Sequence, residues 1–401
     1  MAKRKIQKPT RFERMYKVWD YLRKNTDRRH PTSIAKMRKD ENINTYIGDK
    51  ETINRLLKDM ANIMNLEDGG SDYKPEAEWR LYFDDFKKFY GDKERYERDD
   101  SDEDDSYIAN VMRIKNLYYN RTFSEKEVDS IIEGIMATRT LDSKSAQELV
   151  RKVEDNMTTA FYKRTPRHIC KVQEPELADR ELLKDNLAII QKAIDDNVRI
   201  QFRFNGYSFE KKLKPVREES DELSPYYIVA SGGKYYLLAA KEYEGYKPNM
   251  SIWRIDLMTD IEIPGRNDRL HIKGIPRIPK KNVSNLPEKW SEDFQLKHLN
   301  MSFDKPVPVT LRIKSEKCED NPKKRVRPGY TFLHDWFGDS FTYIRTETNP
   351  PYDDIVRVEC SPYGMAHWAL QYSELVEVLE PESLREDIKS KIKALNEKYS
   401  L

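Results

Sequence analysis

The sequence predicts a multidomain α+β protein: an N-terminal winged helix-turn-helix, a helical connector, a small β-barrel and a C-terminal α+β unit. Three observations lead there. Residues 1–65 combine helical apolar periodicity with an excess of cations, 17 Lys and Arg against 8 Asp and Glu. From residue 199 onward, short alternating runs are punctuated by glycine turns, the signature of strands. The length of 401 residues leaves room for about two to four domains.

Composition narrows the class. The chain holds 72 Lys and Arg against 70 Asp and Glu, with 14 Phe, 24 Tyr and 6 Trp, too many aromatics for a disordered chain. No apolar run approaches the roughly 20 residues that span a bilayer. Met1-Ala2-Lys3-Arg4-Lys5 leads into charged sequence rather than an apolar leader. Cys170, Cys318 and Cys360 lie far apart, which argues against a disulfide framework or a zinc module. The expectation is a cytoplasmic protein with no membrane partner, no metal and no cofactor.

The first segment, residues 1–90, reads as three helices and a terminal hairpin. Met15, Val18, Trp19 and Leu22 recur at the spacing of one buried helical face. Pro31 fits a first helical turn, followed by Ile34 and Met37 on one face. Asp49 is a natural N-cap for a third helix with Ile53, Leu56, Leu57, Met60 and Met64 as its apolar stripe. Asp68-Gly69-Gly70 then makes a turn, and Glu78 to Tyr82 returns as a strand. Residues 91–106 hold six acids within seven positions from Asp99 to Asp105, expected as a flexible joint.

Residues 107–178 read as a helical connector, helical throughout from Tyr107 to Tyr162. Ser124-Glu125-Lys126-Glu127 is a capping box before Val128, Ile131, Ile132 and Ile135. Ala146, Leu149, Val150, Val153 and Met157 mark a second buried face. In residues 179–272, a helix from Leu182 to Ile194 precedes strands at Arg199–Phe204, Tyr226–Val229 and Ser251–Ile263. The turn Ser231-Gly232-Gly233-Lys234 signals a hairpin. Such strands suggest a small barrel. Residues 273–300 read as a linker. Residues 301–401 hold strands at Val307–Ile313, Phe341–Ile344 and Ile355–Val358 and end in a helix from Glu382 to Tyr399.

With the strands placed, the chain resembles the WYL-domain transcriptional regulators of bacteria. The family's Trp-Tyr-Leu triplet corresponds to Tyr235-Tyr236-Leu237, and its closing strand, aromatic-Arg-apolar-Asp-Arg, to Trp253-Arg254-Ile255-Asp256, with Leu257 in place of the second arginine. Lys211 and Pro215 match a basic residue four before a proline. Trp368-Ala369-Leu370 with Val376 to Pro381 is similar to the family's C-terminal extension domain. Thr52-Ile53-Asn54-Arg55-Leu56-Leu57 matches the regulators' third helix, Thr-apolar-x-Arg-Asp-Leu. The resemblance implies an Sm-like barrel over residues 179–272 that senses nucleotides or short single-stranded nucleic acid.

The candidate sites follow from this organisation. Lys50, Thr52 and Arg55 fall where a recognition helix meets base edges, and Arg28, Arg29 and Lys36, with Lys3, Arg4, Lys5, Lys8 and Arg38, suit phosphates. In the barrel, strand alternation places Ile252, Arg254 and Asp256 on one face and Trp253, Ile255 and Leu257 on the other. Arg254 is then either free to take a phosphate or paired with Asp256. Lys211 shares parity with Tyr207, Phe209 and Leu213, as a cation among apolar neighbours. Arg203, Tyr235 and Tyr236 complete the candidate ligand set. The basic run Lys323 to Arg327 reads as a solvated loop or a second nucleic-acid contact, and His367 and Trp368 as packing residues.

No metalloprotease, P-loop, nucleophile-elbow or paired-cysteine motif is present, so no catalytic residue is nominated and no enzyme is expected. The expected function is a ligand-responsive, DNA-binding regulator, a homodimer on a double-stranded operator with a nucleotide or single-stranded nucleic-acid effector. The alternative is an accessory nucleic-acid-binding protein assisting an RNA-targeting CRISPR effector or another anti-phage defence system.

Overall fold

The helical stripes of the first segment bury as spaced. In the computed structural model, which describes residues 8–67, 72–86, 113–138, 141–163, 180–267, 269, 271–314, 317–318, 321–325 and 329–399, the chain divides into two units, Met1–Pro175 and Glu176–Leu401. It is a mixed α+β protein.

The first unit opens with α1 (Arg11–Asn25), capped by Thr10 in a capping box with Glu13. Then come α2 (Ile34–Lys39), a short α3 (Asn44–Ile47) and α4 (Lys50–Asn65). The core gathers Val18, Leu22, Met37, Ile43, Ile47, Ile53, Leu56, Leu57 and Met60 with Trp79, Leu81, Phe83 and Phe86. Four helices replace the expected three, because Ile43 and Ile47 drive a short extra turn into the core. Pro31 does not begin a helix: Ser33 caps α2, and Thr32 bridges Leu117 instead.

The small sheet closes over a long sequence distance. β1 (Leu81–Tyr82) pairs antiparallel with β2 (Tyr118–Tyr119), and Leu117 exchanges backbone hydrogen bonds with Thr32. Residues 113–123 are therefore not helical, contrary to the wholly helical expectation. The acidic run Asp99–Asp105 and the turn Asp68-Gly69-Gly70 lie outside the described residues, but the described flanks of the acidic run, Phe86 and Arg113, both belong to this unit.

Beyond β2, α5 (Glu125–Ala137) begins with the Ser124–Glu127 capping box, and α6 (Ser143–Met157) packs on it through Val128, Ile132, Val150 and Val153. Leu149 is left 39% exposed, off the face on which it was expected. Two arginines tie this pair to α1. Arg23 Nη1 donates to the Asn156 carbonyl at 2.9 Å, and Arg121 Nη2 donates to the Thr158 carbonyl at 3.0 Å. Both carbonyls lie at the C-terminal end of α6, where cations are welcome.

The second unit begins with α7 (Arg180–Asp196), whose Leu183, Ile190 and Ala193 cover one face of a curled sheet that forms a half-barrel. Its strands are β3 (Ile200–Tyr207), β4 (Leu213–Pro215), β5 (Asp221–Ser231), β6 (Lys234–Tyr243), β7 (Tyr246–Arg254) and β8 (Met258–Glu262). They are ordered β4-β3-β5-β6-β7, with β8 also on β3. Gly232 and Gly233, at φ 55° and 74°, make the expected two-residue turn. The strand expected over Ser251–Ile263 is broken: Ile255–Leu257 form a 3-10 turn between β7 and β8. Buried Asn186 on α7 holds that turn by donating to the Ile255 and Met258 carbonyls at 3.3 and 2.9 Å.

After β9 (Arg266–Asn267) and β10 (Ile272–Lys273), the segment expected to be a linker is a packed strap. The Tyr226 hydroxyl donates to the Ile278 carbonyl at 2.7 Å, Ile278 and Val283 are buried, and Ser284 bridges Asn249. Its apolar residues prefer the second face of the sheet to water. α8 (Phe294–Lys297) ends the strap on Val229, Leu238 and Met250.

The last part holds β11 (Val307–Ile313), β12 (Lys317–Cys318), β13 (Asn321–Arg325), α9 (Thr331–Phe337), β14 (Thr342–Thr346), β15 (Asp354–Cys360), α10 (Pro362–Gln371), β16 (Val376–Glu380) and α11 (Glu382–Tyr399). A four-stranded sheet runs β14-β15-β11-β16. Trp368 is fully buried against Phe337, Phe332 and Tyr372, whereas His367 is exposed beside Tyr363 rather than packed.

Buried Asn65, the last residue of α4, accepts from the Arg80 and Leu81 N–H groups at 2.8 and 3.1 Å and donates to the Leu81 carbonyl at 2.7 Å. Asn65→Ala strands buried backbone groups, at about 1–3 kcal/mol for such a loss. Urea unfolding of the variant should show a loss of about 2 kcal/mol; a change below about 0.5 kcal/mol would refute the clamp.

Candidate functional site

Two surfaces carry the candidate residues, one in each unit. In the first, α4 turns its apolar stripe inward and leaves Lys50, Thr52 and Arg55 exposed along its first two turns. The Asp49 side chain fixes the start of the helix by accepting from the Thr52 N–H at 2.7 Å, and this bond holds its carboxyl below the ordinary value. Arg38 Nη2 donates to the Gly48 carbonyl at 3.2 Å, joining the end of α2 to the start of α4. Gly48 sits at φ 68°, a backbone conformation that side chains with a Cβ rarely adopt, so glycine suits the turn that leads into α4.

The phosphate candidates Arg28, Arg29 and Lys36 are all exposed. Arg28 and Arg29 sit in a turn fixed by Asp27, which accepts from the Arg29 and His30 N–H groups at 2.8 and 2.7 Å. Burial would raise the Asp27 carboxyl, but the His30 ring and these N–H groups outweigh it and hold it low. His30 stacks on Phe161 at 4.1 Å. Lys8 is exposed, and Lys3, Arg4 and Lys5 lie outside the described residues. Glu51, which the sequence reading missed, pairs with Arg55 at 2.8 Å; the i,i+4 spacing was the available signal.

In the second unit, the six ligand candidates do not assemble. Tyr235 packs into the core under α7 and Tyr236 into the core under the strap, because neighbouring strand residues point to opposite faces. Tyr236 lies directly across from Arg254. Lys211 is not a cation among apolar neighbours: it occupies a turn at φ 61°, exposed, beside a Phe209 that is 94% exposed. Arg203 is exposed and 3.7 Å from Asp260. Among the described residues no hydrogen bond or ion pair joins Lys211 or Arg203 to Arg254.

What remains is Arg254, Asp256 and Tyr236, with Tyr207 close enough to act on Arg254 electrostatically. The 3-10 turn keeps Ile255 and Leu257 buried and holds Asp256 against Arg254. Arg254 Nε and Nη2 then reach Asp256 Oδ1 and Oδ2 at 3.2 and 2.5 Å, a bidentate pair. Asp256 is 1% exposed and Arg254 29%. Burial alone would lower the guanidinium, but Asp256 more than offsets it and the net shift is upward. Tyr236 is raised, chiefly by burial, with Arg254 opposing and Asp256 adding. Of the two readings of Arg254, the internal pair is the one formed.

The basic run Lys323 to Arg327 falls where side chains lie outside the described residues. Among the described residues no cluster of His, Cys, Asp or Glu is placed to hold a metal, and no helix is long and apolar enough to cross a membrane. Cys360 is buried, which pushes its thiol up to about 12.

Residues 305–395 match the model of the WCX domain, the WYL-associated C-terminal extension. No curated protein matches the sequence. Among solved structures, the chain is similar to proteasome accessory factor B/C (PafBC) of Arthrobacter aurescens, at 16% identity and a TM-score of 0.21, covering 72% of this chain and 40% of that one. It therefore spans less than half the length of that protein. A CRISPR Cas-related protein is also similar, at 12% identity and a TM-score of 0.30, covering 87% and 86% of the two chains.

Arg254→Ala leaves Asp256 nearly fully buried without its ion pair. Breaking a fully buried pair costs about 3–5 kcal/mol, and the partial exposure of Arg254 brings the expected loss to about 2–3 kcal/mol. The double variant Arg254→Met/Asp256→Leu should recover most of it in urea unfolding. A single variant as stable as wild type would show that the pair holds nothing.

Proposed function

We propose that the chain is a DNA-binding regulator whose first unit is a winged helix-turn-helix, with α4 as the reader and the β1–β2 sheet as the base of the wing. The observation that carries this reading is the division of α4: Ile53, Leu56, Leu57 and Met60 are buried, while Lys50, Thr52 and Arg55 stand exposed at its N-terminal end. Residues near the N-terminus of a recognition helix are the ones that reach base edges in the major groove. Arg28, Arg29 and Lys36 supply phosphate contacts. The weak, solvated Glu51–Arg55 pair holds the arginine until DNA displaces the carboxylate.

In this reading the half-barrel is a WYL domain with an Sm-like arrangement, and the regulator is a homodimer on a palindromic operator. Its effector is a nucleotide or short single-stranded nucleic acid whose phosphate takes Arg254 from Asp256. Asp256 takes Nε–H and one Nη2–H of the five guanidinium donors. In this reading the phosphate draws the arginine away from the carboxylate, and that exchange is the switch.

Selection from random duplexes should enrich one sequence family. Arg55→Ala should then weaken the selected duplex by about 1–3 kcal/mol. Glu51→Ala should tighten every duplex a few-fold by removing a carboxylate from the reading surface. Equal affinity for all duplexes at physiological salt would sink the regulator. For the effector, nucleotides should raise the thermal midpoint of the wild type and leave that of Arg254→Ala unmoved. A rise retained in the variant would remove Arg254 from the site.

A second reading, an accessory nucleic-acid-binding protein of a CRISPR or other defence system, is favoured by one feature. Tyr207 and Phe209, 46% and 94% exposed, stand beside Lys211 and Lys212 at the β3–β4 turn, a combination suited to stacking single-stranded bases. Tight single-strand binding lost in Phe209→Ala, with no duplex preference, would favour that account.

A further inference from the structure

The Arg254–Asp256 pair is lopsided in its exposure. The Arg254 side chain is 29% exposed, whereas that of Asp256 is 1% exposed, so solvent reaches the guanidinium but hardly the carboxylate. Both hydrogen bonds that Asp256 accepts come from Arg254, and among the described residues no second cation pairs with it. Its surroundings cannot replace that charge. Tyr236 faces the pair from β6 and Tyr207 from β3, and α7 supplies Asn186, a neutral amide. Burial raises the Tyr236 hydroxyl, and Arg254, despite its own burial, is raised by Asp256, so neither changes charge near neutral pH.

Nor is the carboxylate free to swing into water. Asp256 is the middle residue of the 3-10 turn, with Ile255 and Leu257 buried on either side. Asn186 donates to the Ile255 and Met258 carbonyls, which bracket Asp256 along the chain. An ionised carboxylate buried without a cation is costly, and a second anion beside it adds to the cost, so such a group neutralises instead.

We propose that a phosphate bound at Arg254 is taken up together with one proton, which passes from solvent to Asp256. The inference rests on the reading of Arg254 as the anchor of the effector, and it adds the regulation of that site. As the guanidinium turns to the phosphate, Asp256 loses both of its donors while it stays buried, and the phosphate brings a second negative charge. The proton makes the carboxylate a neutral carboxylic acid and leaves the net charge of the site as it was. Because the complex holds one proton more than the free protein, affinity rises as pH falls. The half-barrel then answers to effector and acidity jointly: a concentration that fills the site at lower pH leaves it empty at higher pH.

A short oligothymidylate without a terminal phosphate is the probe, because its phosphodiesters take up no proton near neutral pH. Titration calorimetry of the full chain near neutral pH, in buffers of different ionisation enthalpy, should count close to one proton taken up per oligonucleotide bound. Affinity should fall about tenfold per unit between about pH 6 and pH 8, the slope of one linked proton. Asp256→Asn keeps the shape and removes the carboxylate. It should bind with no proton uptake and a flat pH profile, and at the upper end of that range about tenfold or more tighter than wild type. The proton count of the wild type decides the matter even if that variant fails to fold. Wild-type binding without proton uptake, or a slope unchanged in Asp256→Asn, overturns the proposal and leaves Arg254 as the anchor. No binding at all, or binding undiminished in Arg254→Ala, removes Arg254 from the site and takes the proposal with it.

Discussion

The first unit depends on one buried side chain. Asn65 closes α4 onto Arg80 and Leu81 with three hydrogen bonds, β1 pairs with β2, and Leu117 just before β2 bridges Thr32 between α1 and α2. That chain of bonds joins α4 to β1, to β2 and to the segment between α1 and α2. A helix that presents Lys50, Thr52 and Arg55 is useful as a reader only if its angle is set, and packing alone sets helix angles within broad limits. A side chain that satisfies backbone groups on a neighbouring strand sets them more narrowly. The same unit fastens the C-terminal end of α6 to α1 through Arg23 and Arg121, by polar contacts to backbone carbonyls.

The second unit shows a parallel economy of charge. Of the cationic candidates in the second unit, Arg203 and Lys211 are exposed while Arg254 is partly buried, and Asp256 holds it in two places. A buried pair of this kind adds little net stability compared with apolar residues of the same volume, although breaking it is costly. That asymmetry suits a switch better than a scaffold. A ligand phosphate that replaces the carboxylate leaves Asp256 in need of a new partner, and the 3-10 turn that carries it is held by Asn186 on α7. Release of that turn would be felt by the helix beneath it.

Local features were legible in the sequence, and distant ones were not. The stripes of α1 and α4, the capping box at Ser124 and the Gly232-Gly233 turn each depend on residues within a few positions of one another. The β1–β2 pairing joins segments far apart in the chain, and nothing in Tyr118-Tyr119 announces a strand that Leu81-Tyr82 will find. The strap failed as a linker reading because its prolines suggested extension while Ile278, Val283 and Phe294 were free to find the back of the sheet. In the half-barrel, strand parity sets Arg254 and Asp256 on one face and Trp253, Ile255 and Leu257 toward the core. Although a 3-10 turn at Ile255–Leu257 interrupts the strand, Ile255 and Leu257 are buried and Arg254 pairs with Asp256. The candidate set of six falls to three because Arg203 and Lys211 are exposed and Tyr235 points to the opposite face of the sheet from Tyr236, and Tyr207 joins by position rather than by motif.

The central claim is that the N-terminal end of α4 meets base edges. The most direct measurement replaces Thr52 with a photoreactive amino acid, irradiates the protein on a selected duplex and maps the cross-linked positions. The account predicts links from position 52 to bases within the selected sequence, lost in excess unlabelled selected duplex but not in excess random duplex. Bound duplex with no link at position 52, and links arising instead from a photoreactive group placed at Phe209, would contradict it and move nucleic-acid recognition to the half-barrel.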